Sequence, residues 1–304
     1  MLEIFADLHN HTPASDGDLM PADLIRAALD RGIRAVGITD HDTLKGLEKA
    51  LAEGDALGVE VVPGVEVSVR FTRPAFTGTL HVLTYFHRCR LQDQAFLDRF
   101  ETLLAQGRGE GLVRARVERI NAVFGPSGDT PVLNRNMTFE DIAAYAANAS
   151  RRHFALALAE RFGITDKEEI NRIIGNASPA YLPSGVDLKD VAAFLKQAPV
   201  VAVLAHPAAG SFPGEGHYRE VLPPVAVVED LLPEFLAAGV SGLEVYYPGH
   251  TPALQSRMLA WAEKYHLLVT GGSDCHDPAV RPPGVAGINE DQFLKLKDAI
   301  HEKS

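Results

Sequence analysis

Short apolar runs alternate along the 304-residue chain with longer amphipathic stretches. The runs over 3–8, 34–39, 59–69, 79–85, 200–205, 242–246 and 267–271 read as buried strands. The stretches over 21–31, 43–57, 231–238, 252–265 and 292–301 place apolar residues on one helical face. Strands alternating with helices predict a parallel α/β architecture. Residues 91–183 break that rhythm. They are rich in Ala, Arg and Leu, carry a cap-like Thr138-Phe139-Glu140-Asp141, and contain no strand-like run. They are expected to form a helical insertion domain between the fourth and fifth strands, with 1–90 and 184–304 forming the barrel around it. The Pro- and Gly-rich stretch 207–224 reads as a long loop, a length usually tied to function.

The strand-like runs end repeatedly in metal-ligating residue types: Asp7-Leu8-His9-Asn10-His11, Thr39-Asp40-His41-Asp42, Gly64-Val65-Glu66, Ala205-His206-Pro207 and Gly272-Ser273-Asp274-Cys275-His276. His9 and His11 stand at i and i+2, so an extended backbone turns both to one face. In parallel barrels the functional end is the C-terminal one. All the candidates fall there except His81, which lies inside its run. His9, His11, Asp16, His41, Glu66, His81, His206, Asp274 and His276 are too many ligands for one ion. They suit two or three divalent cations sharing a carboxylate, with imidazole and carboxylate favouring Mn²⁺, Zn²⁺ or Fe²⁺.

Each residue alone has an ordinary reading. A single histidine is more often structural than ligating. Asp16-Gly17 fits a turn, and Asp40 and Asp42 fit helix caps. Yet six of the twelve histidines cluster beside Asp or Glu at strand ends or within one strand. Alternation turns Cys275 away from its neighbours, and Gly271-Gly272 would let the backbone approach the ions. His87, His217, His266 and His301 have no motif around them.

Bulk properties narrow the partners. Hydrophobic residues make up 46% of the chain and mean hydropathy is −0.02, as in globular proteins. No apolar run is long enough to span a bilayer, and Glu3 and Asp7 stand where a basic, apolar leader would be. Only Cys89 and Cys275 are present, so a reducing cytoplasm is expected. A net charge of −11 argues against a wrapper of duplex nucleic acid, which needs broad basic surface. It does not exclude a small phosphorylated substrate, since bound cations would offset the local carboxylates.

Taken together, these motifs resemble those of the polymerase and histidinol phosphatase (PHP) family across essentially the whole chain. The resemblance implies a distorted (β/α)₇ barrel holding up to three metals. It would place the first ion on His9, His11, Glu66 and Asp274, the second on Glu66, His81 and His206, and the third on Asp16, His41 and His276. Two further segments, Ser150-Arg151-Arg152-His153-Phe154-Ala155 and Leu243-Glu244-Val245-Tyr246 with His250, resemble the subgroup acting on nucleoside 3′,5′-bisphosphates and short 5′-phosphorylated oligonucleotides.

The implied activity is phosphoric ester hydrolysis, removing the 3′-phosphate through a hydroxide shared by the metals, with Mn²⁺ the first expectation, and 5′→3′ exonuclease action on short RNA alongside it. Arg151 and His153 would act at the phosphate or leaving group, and Arg114, Arg116, Glu244 and His250 would contact substrate. Arginine suits this task because it is permanently charged and grips phosphate with paired hydrogen bonds. For Arg114 and Arg116 the competing reading is solvated helix charge, and Arg135 and Arg152 read as surface residues. Rival readings are histidinol-phosphate hydrolysis, which the same ligands would serve, and a non-catalytic metal-binding module.

Overall fold

The computed structural model describes residues 3–146, 149–211 and 222–303. Its strands are β1 (Ala6–Asp7), β2 (Ala35–Ile38), β3 (Glu60–Arg73), β4 (Phe76–Phe86), β5 (Val186–Asp187), β6 (Val200–Leu204), β7 (Gly242–Tyr246) and β8 (Leu268–Gly271). Their order around the sheet is β1-β2-β3-β4-β6-β7-β8, with β5 pairing outside this path on β3. Leu8 N donates to Gly271 O at 3.1 Å, bringing the last strand back to the first. The result is a nearly closed barrel of seven strands.

One strand departs from the all-parallel expectation. β4 runs antiparallel to both β3 and β6. A two-residue turn at Pro74-Ala75 joins β3 directly to β4, and a connection that short can only reverse the chain. Both strands extend past the barrel rim as an arm, which β5 joins at Val69 and Arg70.

Helices cover the outside: α1 (Pro21–Leu29), α2 (Leu47–Leu57), α3 (Gln94–Ala105), α4 (Glu110–Phe124), α5 (Phe139–Ala143), α6 (Arg151–Phe162), α7 (Lys167–Ile174), α8 (Leu188–Leu195), α9 (Val225–Ala238), α10 (Pro252–Tyr265) and α11 (Glu290–Glu302). Leu24, Ile25, Leu51, Val67, Phe71, Phe235 and Trp261 belong to the core between strands and helices. Inside the barrel, Leu8, Val62, Leu83, Tyr85 and Val203 pack with Phe293, Leu296 and Ile300 of α11. That helix therefore stoppers the barrel's N-terminal end and leaves the other end for chemistry.

The helices between β4 and β5 divide between two cores. Phe96, Phe100, Leu103 and Leu104 of α3 pack into the barrel's outer core. From Val113 to Ala180, α4 to α7 build a separate apolar cluster around Ile120, Phe124, Phe154, Leu158 and Ile173. The two chain segments joining this helical unit to the barrel touch, with Gly185 N donating to Gly107 O at 2.9 Å. Glycine is required there: a Cβ on Gly107 would lie 2.7 Å from Gly185 C, and Gly185 has φ +104°.

Candidate metal centre

The candidate ligands arrive at the open end of the barrel from several pieces of the sheet. His9 and His11 continue from β1, Asp16 sits in the turn beyond, and His41 follows β2. Glu66 lies in β3, His206 follows β6, and Asp274 and His276 follow β8. The reversed β4 explains the odd position of His81. Glu66 pairs with Leu83, so His81, two residues along on the same face, is its diagonal neighbour. A Cβ on Gly272 would lie 2.4 Å from His9 N, so the close approach this glycine permits is to the His9 strand.

Glu66 is the hub. Its Oε2 lies 3.1 Å from His9 Nε2, His11 Nε2 and His41 Nδ1, and its Oε1 lies 3.0 Å from His81 Nδ1 and 3.1 Å from His206 Nε2. Asp274 Oδ1 stands 3.1 Å from His11 Nε2, 3.5 Å from His9 Nε2 and 3.4 Å from His276 Nδ1. Asp16 Oδ1 stands 3.2 Å from His276 Nε2. Three groups of ligand atoms converge within 4.8 Å: His9, His11, Glu66 and Asp274; His11, Asp16, His41 and His276; and His41, Glu66 and His81.

These groups fit cations. His9 Nε2, both nitrogens of His11, Asp16 Oδ1 and Glu66 Oε2 are buried with no hydrogen-bond partner among the described residues. Buried polar atoms without partners are costly. Donors about 2.0–2.2 Å from a shared ion stand about 2.8–3.6 Å apart at octahedral or tetrahedral angles, which is the spacing around Glu66. The electrostatics agree. Burial works against charge on Glu66, yet His41, His9 and His81 hold its carboxyl well below the usual range. Burial likewise opposes charge on His11, but Asp274 and Glu66 raise it to about 10. Against the same burial, Glu244, Glu66 and Asp274 raise His9, whereas burial lowers His41; a bound cation would take the place of protons held on such ligands.

The backbone is strained at the same place. His206, Asp274 and Asp42 have φ of +29°, +52° and +48°, a region that side chains disfavour by roughly 1–2 kcal/mol.

The sequence signature of the PHP domain matches residues 7–150, the part of the chain that carries His9 through His81. The chain carries a PHP domain over these residues. It is a metal-dependent phosphoesterase. A 3′,5′-nucleoside bisphosphate phosphatase of Chromobacterium violaceum is 28% identical, over 90% of this chain and 87% of its own length. A 5′-3′ exoribonuclease of Haemophilus influenzae is 24% identical over 90% of each chain. A phosphoribosyl 1,2-cyclic phosphate 1,2-diphosphodiesterase of Eggerthella lenta is 26% identical, over 92% of this chain and 97% of its own. Among solved structures, a predicted metal-dependent phosphoesterase of Bifidobacterium adolescentis superposes with a TM-score of 0.73, at 26% identity over 97% and 96% of the two chains.

Around the PHP cluster, the remaining candidates separate. His153 is buried at the start of α6; its Nδ1 accepts from Ser150 N at 2.9 Å. Burial lowers its pKa, while the charges of Asp16, Arg108, Arg152 and His276 also act on it, so it stands beside the cluster. Arg151 donates to Asn176 Oδ1 at 2.6 Å, and Arg116 donates to Leu182 O at 2.9 and 3.1 Å. Burial pushes Arg116 down to about 9, with Arg151 and Arg108 adding to the effect.

Glu244 and His250, expected at the substrate, are both buried and bonded to protein groups. Glu244 Oε1 lies 2.9 Å from His9 Nδ1, and its Oε2 accepts from His206 N at 2.7 Å. It therefore orients His9 with Nε2 toward the cluster. His250 Nδ1 contacts Val245 O, its Nε2 accepts from Ala208 N, and burial lowers its pKa to about 4. Arg114 lies on the exposed side of α4, paired with Glu110 one turn away. Asp40 is no helix cap: it gathers Thr12 N, Thr12 Oγ1 and Ser15 Oγ around the His11 loop. Asp42 accepts from Ser68 N and pairs with Arg108. His217 and residues 212–221 of the expected long loop lie outside the described residues.

Motif reading passes over Arg108, Tyr247 and Arg281 and takes Arg152 for a surface residue. Arg152 reaches from α6 to Asp16 O and grips both carboxylate oxygens of Asp18. Arg108 is buried against Asp42 and Ser68, and its Nη1 has no hydrogen-bond partner among the described residues. These residues sit in loops or on helices that meet the barrel only in three dimensions, so spacing carried no signal for them.

Proposed function

We propose that this PHP enzyme removes the 3′-phosphate of nucleoside 3′,5′-bisphosphates and also degrades short 5′-phosphorylated oligonucleotides. One observation carries the reading: Glu66 turns one oxygen to His9, His11 and His41 and the other to His81 and His206. A carboxylate shared this way can join two cations. His9, His11 and Asp274 would complete one position, His81 and His206 a second, and Asp16, His41 and His276 a third, with Mn²⁺ the proposed ion. Bound there, divalent ions supply an acidified water and positive charge against the phosphate oxygens.

The protein's own groups then divide the remaining work. Glu244 and the Asp40 network hold the ligands in place before substrate arrives. His153 accepts Ser150 N–H on Nδ1, so its neutral ring carries the proton on Nε2. Nε2–H is thus the atom that can donate to the phosphate or the departing oxygen. Arg151, Arg116 and Arg108 gather positive charge where the helical unit meets the barrel, and Arg108 Nη1 still has an acceptor to find. This supports a substrate with a second phosphate, as do the names of the bisphosphate phosphatase and exoribonuclease relatives.

The test is purified protein with Mn²⁺ and adenosine 3′,5′-bisphosphate. Release of phosphate with accumulation of the 5′-monophosphate is expected, as are mononucleotides from a 5′-phosphorylated oligonucleotide. No phosphate from the bisphosphate, alongside turnover of histidinol phosphate, would refute the substrate assignment.

A further inference from the structure

The two oxygens of Asp274 have different jobs. Oδ1 faces His11, His9 and His276. Oδ2 faces away, where it accepts from Tyr247 OH at 2.9 Å and Arg281 Nη1 at 3.0 Å. Arg281 Nη1 also donates to Tyr247 OH at 2.6 Å, closing a triangle, and its guanidinium carbon stands 5.0 Å from the centre of the Tyr247 ring. All three residues are largely buried: side-chain exposure is 6% for Asp274 and 11% for Arg281, and Tyr247 is 2% exposed. The Asp274 backbone is held too, because its N–H donates to His9 O at 2.8 Å. Arg281 is fixed in turn through its own N–H, which donates to Asp277 O at 2.9 Å.

We propose that Tyr247 and Arg281 are positioning residues for metal binding: they engage the outer oxygen of Asp274 so that only the inner oxygen is presented to a cation. A carboxylate without such partners can rotate, chelate through both oxygens, or turn out of reach. Two donors on one oxygen remove those alternatives. Charge and geometry make opposite predictions here. If Arg281 acted only through its charge, removing it would tighten cation binding, because like charges repel. If it acts by holding Asp274, removing it weakens binding. The inference rests on reading the cluster as a metal centre, but not on the identity of the substrate.

The experiment is a Mn²⁺ titration of the full chain, counting free ion by electron paramagnetic resonance, for the parent, Arg281→Ala, Arg281→Lys and Tyr247→Phe. Arg281→Ala should bind one class of ion about 10- to 100-fold more weakly, the usual consequence of losing an outer partner of a ligand. The remaining classes should stay within about twofold. Arg281→Lys should recover part of the loss, and Tyr247→Phe should show a smaller loss than Arg281→Ala. Unchanged or tighter binding in Arg281→Ala would overturn the proposal. So would an equal loss in every class accompanied by a lower melting temperature, which marks a general structural role. Should Arg281→Ala fail to fold, Tyr247→Phe and Arg281→Lys decide, and parent-like binding in both would overturn it. No nucleotide enters the titration, so its failure leaves the bisphosphate assignment standing. A parent protein that binds no Mn²⁺ would sink the metal reading itself.

Discussion

At the barrel mouth the buried side chains are imidazoles and carboxylates; in the helical unit they are Val113, Ile120, Phe124, Phe154, Leu158 and Ile173. The helical unit carries charged pairs at its surface, as in Arg172 with Glu169, and half-exposed Arg135 covers the buried Asp141. Its core gains stability by leaving water. The mouth gains little that way, because ionised groups pay a large desolvation cost unless they are paired. Strain at His206 and Asp274 adds to the burden. One region is therefore built for stability and the other is held in place by its surroundings for the sake of a ligand.

Glu66→Gln should break the contrast most severely. An amide cannot serve as the shared carboxylate, so phosphate release should fall by on the order of 10³-fold or more, with fewer ions retained on metal analysis. The protein should remain folded, since the change also removes a buried charge; loss of the native circular dichroism spectrum would show instead that Glu66 is structural. Glu244→Gln acts one step back, through His9. It should weaken Mn²⁺ binding about 10- to 100-fold in the titration, and unchanged affinity would remove Glu244 from the site.

Arg151→Ala probes the boundary between the regions. It should lower kcat/KM on the bisphosphate about 30-fold, roughly the 2 kcal/mol of a charged hydrogen bond, with metal content untouched. An equal fall on a substrate with a single phosphate would argue against a role in reading the second one. The smallest effect belongs to the helical unit alone. Arg135 holds Asp141 down to about 2, below its ordinary 3.8. That contribution is present above about pH 4 and lost as pH falls toward 2. Asp141→Asn should destabilise the protein at pH 7 by about 1 kcal/mol, because Arg135 is half exposed, and the difference should shrink in melts at pH 3.

The same contrast explains what could be read from sequence. His9, His11, His41, His206, Asp274 and His276 stand at or just beyond strand ends, so the rhythm of apolar runs located them. The reversal of β4 was hidden because Arg70, Thr72, Arg73, Thr77 and Gly78 thin out the apolar pattern, and Pro74-Ala75 lacks the Asn-Gly type of hairpin signal. The apolar runs ending at 69 and starting at 79 mark two strands correctly but stop short of the arm into which each continues. Glu244 is legible as a site residue from its motif-like segment, but its inward contact with His9 is visible only in the fold. Arg108, Tyr247 and Arg281 find their partners only once distant segments fold together, and no local pattern announces such meetings.

The hydrogen bond between Gly107 and Gly185 has a consequence of its own. Because the polypeptide leaves and returns at neighbouring peptides, everything from 108 to 184 is an excursion that a short turn could replace without parting any barrel strand from its neighbours. Such an attachment would let the helical unit be altered or removed while the ligand-bearing strands beneath it stay put.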